Sequence, residues 1–319
     1  MGEPQPRGAI TLGETMALLT TERTGPLRHA PSMAVGVGGA ESNVAIALRR
    51  LGVPVTWIGR VGADGFGDLV LRELRAEGLD VRAIVDDGAP TGLMVKERRT
   101  NQSLNVWYYR AGSAGSRLSP ADVAEDAIAG AALLHVTGIT PALSDSAAEA
   151  VRHAVGLARR HGVTVSFDVN YRGRLWSRAQ AAERLSGILS DSDVVFAGIQ
   201  EAELFVPAKD DPLDLAAALA DLGPAQVVVK LGAKGCAALV DGRPLVRPAV
   251  PVEVLDPVGA GDAFVGGYLA ELLAGAPPET RLDTAVTAGA FACTVSGDWE
   301  GLPTRAELGL LTRQEGVTR

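Results

Sequence analysis

Short apolar runs alternate along this chain with stretches whose apolar residues recur every three to four positions, and few folds accommodate that rhythm. Ala9 to Thr20 has strand character. Ala40 to Leu51 carries Val44, Ala45, Ala47, Leu48 and Leu51 at helical spacing and stops at Gly52. Val53 to Val61 reads as the next strand, and Asp68 to Glu77, closed by Gly78, as the next helix. The pattern resumes with strands at Leu133–Val136, Val163–Asp168, Val194–Phe196 and Val227–Leu231. Helices at Ser144–His161 and Arg178–Leu189 are interleaved with them, and two closing helices fall near 261–274 and 282–296. Strand–helix repetition of this kind predicts an α/β fold, a mostly parallel sheet with helices on both faces.

Two regions break the rhythm. Residues 21–38 and 89–118 have no helical period, and the second holds two extended runs, Gly92–Arg98 and Leu104–Arg110, separated by Thr100-Asn101-Gln102. That predicts an antiparallel hairpin inserted into the α/β body, serving as a lid or a dimer contact. Lid segments are expected at about 14–38 and 89–118 of one domain spanning 1–319, with no repeat or flexible linker.

Hydrophobic residues make up 47% of the 319, ample for a core, but aromatics are only 4%, so aliphatic packing and alanine-rich helices must fill it. A net charge of −8 argues against nucleic acid or an anionic membrane as partner. An anionic ligand must then be held by local groups. Cys236 and Cys293 show no metal spacing, Met1 to Gly8 lacks a basic-then-apolar leader, and no apolar run reaches membrane-spanning length. A cytoplasmic protein is expected.

The densest chemistry lies in Asp256-Pro257-Val258-Gly259-Ala260-Gly261-Asp262-Ala263-Phe264. Two glycines around one alanine let the backbone turn sharply and expose successive N–H groups. The apolar periodicity that follows predicts a helix opening there, with Asp262 in its first turn. Two readings fit the local pattern: a tight turn with a dipole-matched acid, or an anion hole beside a base, which is what phosphoryl transfer to a hydroxyl requires. Gly36-Val37-Gly38-Gly39-Ala40-Glu41-Ser42-Asn43 also precedes a helix. Glutamate at 41 breaks the dinucleotide fingerprint, and no P-loop spacing occurs. Bare glycine backbone with Asn43 suits a polyhydroxylated ligand, although a plain turn into a helix fits as well.

Taken together, Gly38-Gly39 with Asn43 and Asp256-Pro257-x-Gly259-Ala260-Gly261-Asp262-Ala263-Phe264 resemble the paired signatures of ribokinase-like (PfkB) carbohydrate kinases, in order and separation, over roughly residues 9–310. The resemblance implies a three-layer αβα sandwich with a small β lid, and ATP and Mg²⁺ as cofactors. It makes Asp262 the base and Gly259, Ala260 and Gly261 the backbone donors. An ordinary aspartate, with a pKa of about 3.9, is ionised at pH 7 and can accept the hydroxyl proton. Lys230-Leu231-Gly232-Ala233-Lys234-Gly235 resembles the family's nucleotide-facing turn, so Lys230, Gly232, Lys234 and Gly235, with Gly259 and Gly261, are the nucleotide candidates. A solvated turn lysine is the competing reading of Lys234. The family's Asn-x-x-Glu metal element is here Gly198-Ile199-Gln200-Glu201. Glu201 remains as an outer-shell metal residue without the asparagine, and no dedicated Mg²⁺ cage is expected.

For the substrate, Trp107-Tyr108-Tyr109-Arg110 ends the hairpin and Asp168-Val169-Asn170-Tyr171-Arg172 ends a strand, where ligands sit in open α/β sheets. Arginine suits bidentate carboxylate binding, and two on separate elements point to an acidic sugar. Both segments, with Gly13-Glu14-Thr15-Met16, are similar to 2-keto-3-deoxygluconate kinases within the family. That similarity implies sugar-acid contacts at Tyr108, Arg110 and Arg172. It adds Gly38, Gly39 and Asn43 on the hydroxyls, with Asn170 and Asp298 nearby. Arg110 as a surface charge, Arg172 as a structural partner of Asp168 and Asp298 as a solvated loop acid are the competing readings. The implied reaction is ATP-dependent phosphorylation of 2-keto-3-deoxygluconate by a homodimer paired through its lid. The rivals are a fructokinase or another sugar kinase of the family, and a non-catalytic sugar-binding regulator. Retention of Asp262 speaks against the last.

Overall fold

The computed structural model describes residues 7–100 and 103–311. The Asn101-Gln102 turn of the expected hairpin, and all but the last two residues of Met1–Gly8, lie outside them. Thirteen strands are present among the described residues: β1 (Ala9–Leu12), β2 (Met16–Thr21), β3 (Met33–Gly38), β4 (Val55–Gly62), β5 (Asp80–Asp86), β6 (Leu93–Thr100), β7 (Ser103–Tyr109), β8 (Leu133–Thr137), β9 (Thr164–Asp168), β10 (Val194–Gly198), β11 (Gln226–Lys230), β12 (Cys236–Val240) and β13 (Arg243–Arg247). Nine form one sheet in the order β13-β12-β11-β10-β9-β8-β1-β4-β5, and four form a second in the order β3-β2-β6-β7. From β11 through to β5 every neighbouring pair is parallel; β12 and β13 add antiparallel pairs at one edge.

The parallel strands are apolar on both faces because both faces are covered. In β11, Val227 and Val229 enter one core and Val228 the other; in β10, Val195 and Ala197 oppose Val194 and Phe196. Helices Ala40–Arg50, Gly65–Ala76, Ala260–Leu273 and Pro278–Ala292 close the first core. Asp145–His161, Arg178–Ser190 and Pro212–Ala220, with the short Glu125–Gly130, close the second. Phe196 meets Phe264 and Tyr268 edge-on, with centroids 6.4 and 5.3 Å apart, which seats helix Ala260–Leu273 on the sheet. Local chemistry sets the helix ends: the Ser144 hydroxyl accepts the Ala147 N–H, and Gly162 at φ +65° ends the same helix.

The sheet and its layers match the expected three-layer sandwich, with one revision near the start. Ala9 to Thr20 is not a single strand. The Gly13 N–H still pairs with the Ile58 carbonyl in the large sheet, whereas Ala17 N–H pairs with the Gly92 carbonyl in the small one. The chain crosses between sheets at 13–15, where the Glu41 carboxyl group packs against Gly13. The expected hairpin is present as β6 and β7, antiparallel with Met94 opposite Tyr108 and Val95 opposite Trp107. It joins β2 and β3, so the small sheet draws on both irregular regions. β5, helix Pro212–Ala220 and the β12–β13 pair were not anticipated by the periodicity.

Candidate active site

Asp168, Gly198 and Lys230 end β9, β10 and β11, neighbouring strands whose carboxyl ends face the small sheet across a cleft of about 1050 Å³. Open parallel sheets place ligands at this edge because helix N-termini and strand-end loops converge there. Gly39, Asn43, Tyr108, Arg110, Asn170, Arg172, Lys230, Gly259, Gly261, Asp262 and Asp298 all line the cleft. Residues from six separated segments are thus brought to one cavity.

The phosphate end is built from the turn before helix Ala260–Leu273. Asp256 Oδ1 accepts the Val258 N–H at 3.1 Å and shapes the approach, while Gly259 caps the helix at φ +80°. A side chain at 259 would be strained and would also place its Cβ 1.9 Å from the Asp298 carbonyl oxygen, so only glycine fits. First-turn N–H groups have no intrahelical acceptor and present an anion site. Ala260 differs from its neighbours: its N–H points to the Pro257 carbonyl at 3.4 Å, and the residue does not line the cleft. Gly259 and Gly261 therefore stand at the cavity, with Ala260 closing the turn behind them.

Asp262 lies in the cleft floor, and Asn43 Nδ2 donates to its Oδ2 at 2.8 Å. Burial raises its pKa from 3.8 to about 7, with Asp168 pushing the same way; the Asn43 hydrogen bond, Arg172 and Lys230 oppose the rise. The expectation of an ordinary aspartate is thereby revised: burial lifts this carboxyl well above the usual carboxylate range, towards the working pH. A base whose pKa lies near the working pH has the stronger pull on a hydroxyl proton. Asn43 accordingly holds the carboxylate, and its Oδ1 is buried without a partner among the described residues.

Lys230 projects from the end of β11 and grips Asp168 with bonds of 2.7 and 2.8 Å to its two oxygens. Burial weakens the ammonium, but Asp168, Glu201 and Asp262 outweigh it, so its pKa is raised and the charge is kept. Asp168, 1% exposed, has its pKa raised by burial against the pull of Lys230. Because Lys230 occupies Asp168, the reading of Arg172 as Asp168's structural partner gives way: Arg172 is exposed to the cleft. Glu201 does not line the cavity. Its two oxygens accept the Gly198 and Tyr171 N–H groups at 2.6 and 2.9 Å, which fixes backbone on either side of the site.

At the other end, Arg110 is 8% exposed, not a surface charge. Its Nε donates to Glu14 Oε2 at 2.7 Å, and it stacks 5.8 Å from the Tyr108 ring centroid. Ser113 hydrogen-bonds the other Glu14 oxygen. Asn170 is held at φ +40° at the cleft edge. Asp298 is 6% exposed and ion-paired to Lys96, so it is no solvated loop acid; its Oδ2 packs against Gly38. Glu41 Oε1 accepts hydrogen bonds from Thr137 and Thr140 at 2.7 and 2.6 Å, and burial raises the pKa of this cleft-lining acid despite them. Sequence reasoning singled out neither Glu41 nor Asp168 as site groups. The available signal was a carboxylate beside each motif, in a helix first turn and at a strand end.

Gly232, Lys234 and Gly235 are not brought to the cavity. Gly232–Lys234 form an exposed single turn, and buried Gly235, at φ +95°, closes it against the Arg247 carbonyl. Among the described residues no group of three or more His, Cys, Asp or Glu side chains is arranged to hold a metal ion, and no helix is long and apolar enough to cross a membrane.

The chain is 39% identical over 303 residues to the 2-dehydro-3-deoxygluconokinase of Thermoproteus tenax, covering 93% of this chain and 92% of that protein. It is 36% identical over 304 residues to the 2-dehydro-3-deoxygluconokinase of Bacillus subtilis strain 168, covering 94% of each. A candidate ribokinase II from E. coli, solved in complex with ATP and Mg²⁺, superposes with a TM-score of 0.89 at 26% identity, covering 97% of this chain and 100% of that one. With the pfkB family carbohydrate kinase model matching residues 9–305 as well, the chain belongs to that family.

Proposed function

We propose that this protein transfers the γ-phosphoryl group of ATP to the primary hydroxyl of 2-keto-3-deoxygluconate, giving the 6-phosphate. The observation that carries this reading is the pairing, in one cleft, of Asp262 beside the Gly259–Gly261 turn with the Tyr108–Arg110 and Arg172 side chains at the far end. The carboxylate of the sugar acid meets Arg110 and Arg172, while Gly39 and Asn170 border the ring hydroxyls; Gly38, buried against Asp298 and Met94, does not line the cleft. The acceptor hydroxyl then sits at Asp262, which takes its proton as the oxygen–phosphorus bond forms and the bond to the departing ADP oxygen breaks. The Gly259 and Gly261 amides face the charge on the migrating group, and Lys230 adds a cation beside it. The two named relatives support the substrate assignment.

The cleft suits a nucleotide and its metal: an uncharged amide cradle, a buried ammonium, and carboxylates at Asp168 and Asp262. Mg²⁺ binds chiefly through phosphate oxygens and water, neutralising charge on the nucleotide. Glu201 serves there at a distance, by fixing the 171 and 198 amides. The whole of 1–319 acts as one kinase unit with 14–38 and 89–118 as its lid, and closure of that lid excludes water and suppresses futile ATP hydrolysis. Tyr109 and Val35, 66% and 58% exposed on the small sheet, support a homodimer paired through the lids. Two unpaired cysteines support a cytoplasmic setting.

An ADP-release assay across gluconate-derived keto acids, fructose, ribose and nucleosides tests the reading. The greatest kcat/KM is expected for 2-keto-3-deoxygluconate. A preference for fructose would overturn the acid assignment, and absence of turnover with every sugar would overturn the kinase assignment.

A further inference from the structure

Lys96 lies on β6 in the small sheet, yet its side chain is only 1% exposed, a rare environment for an ammonium. Its Nζ is 2.5 Å from Asp298 Oδ1 and 3.5 Å from Asp256 Oδ2, and it donates to the Gly297 carbonyl at 3.2 Å. These oxygens come from two loops that both touch the phosphate-binding turn. Asp256 accepts the Val258 N–H, and its Oδ2 also receives the Gly297 N–H at 3.4 Å. The Asp298 carbonyl backs Gly259 and its carboxylate abuts Gly38. Arg98, two residues on and on the same strand face, donates to the Leu255 carbonyl at 3.0 Å and lies 3.8 Å from Asp256.

We propose that Lys96 is a positioning residue that ties the lid sheet to the phosphate-binding turn, so that the Gly259 region and the Asp298 carboxylate are correctly placed only when the sheet is seated. Without the ammonium, Asp298 loses its ion pair in a buried site and Asp256 keeps only the more distant Arg98. The turn they shape then shifts relative to the acceptor hydroxyl. A displacement of about 1 Å far from the chemistry can cost about 100-fold in rate.

The inference rests on the kinase reading, and the wild-type protein tests that reading first, since its own best sugar must be established before any variant is scored. Lys96→Met is then compared with wild type for kcat at saturating ATP and sugar, for ATP affinity by titration, and for ADP release without sugar. The expected result is a kcat lower by about 100-fold, a nearly unchanged ATP Kd and a larger sugar-independent share of ADP release. A merely structural role would lower thermal stability without altering that share. A folded Lys96→Met protein with kcat within threefold of wild type would overturn the proposal. Should Lys96→Met not fold, Lys96→Arg decides: it retains the charge but displaces both carboxylates, so unchanged kcat and coupling there would reduce Lys96 to charge balance.

Discussion

Replacing Asp262 by asparagine separates what the carboxyl group does for chemistry from what it costs the fold. The amide keeps the shape and can still face Asn43, but it neither ionises nor accepts a proton. General-base assistance contributes about 100- to 10,000-fold, and kcat is expected to fall within that range while ATP binding persists. The structure predicts an opposite effect on stability. A pKa raised from 3.8 to about 7 means that the folded protein holds a proton where the unfolded chain has released it. Between those values stability falls as pH rises, because the unfolded state binds fewer protons. At about 1.4 kcal/mol per factor of ten, the full penalty above pH 7 is roughly 4 kcal/mol. Solvent in the cleft reduces this, so a gain of about 2 kcal/mol is the working figure for Asp262→Asn at pH 8, shrinking towards zero near pH 4. Thermal unfolding of the ligand-free pair at pH 5, 6, 7 and 8, beside coupled ADP-release kinetics, reads both effects. A variant with kcat within tenfold of wild type, or with no pH-dependent difference in melting temperature, would refute the reasoning.

Arg172→Ala removes a charge that faces the cleft, and hydrogen bonds to charged groups are worth about 1.5–3 kcal/mol, so KM for sugar acids should rise roughly 10- to 100-fold with little change for neutral sugars. Steady-state kinetics on both classes checks this, and equal effects would remove the carboxylate argument. Gly259→Ala forces a side chain into a φ of +80° and against the Asp298 carbonyl, so a stability loss of about 1–3 kcal/mol and near-complete loss of turnover are expected by denaturant titration and assay. Lys230→Met leaves Asp168 buried without its ammonium, with an expected cost of about 3 kcal/mol at pH 8 that lessens as pH falls and Asp168 takes up a proton; urea unfolding at several pH values reads it.

The layers were legible because core strands carry unbroken apolar runs such as Val227-Val228-Val229 and their helices are capped by serine and glycine, signals that act within a few residues. Two features escaped for opposite reasons. β5, Asp80-Val81-Arg82-Ala83-Ile84-Val85-Asp86, is an edge strand facing solvent, and its polar half hides it. The β12–β13 hairpin did carry a signal: Asp241 at φ +50° and Gly242 at φ +79° form the Asp-Gly turn that such hairpins favour. The motifs identified which glycines and carboxylates converge, but not their state. The environment of Asp262, Arg110's attachment to Glu14 and the reach of Lys96 to Asp256 depend on residues 96 to 219 positions apart that only the tertiary fold brings together. Lys234, by contrast, sat in a persuasive motif and yet is exposed and does not line the cleft.

The small sheet is threaded from two distant stretches, with β2 and β6 side by side and parallel. Its backbone therefore enters or leaves the larger body four times, near 13–15, 38–39, 87–92 and 110–112. A flap attached at so many places cannot swing like a door on a single hinge; any opening is a concerted tilt. Recombining this element between homologues requires exchanging both cassettes, 16–38 and 93–109, together, since either alone would leave a foreign strand zipped to a native neighbour.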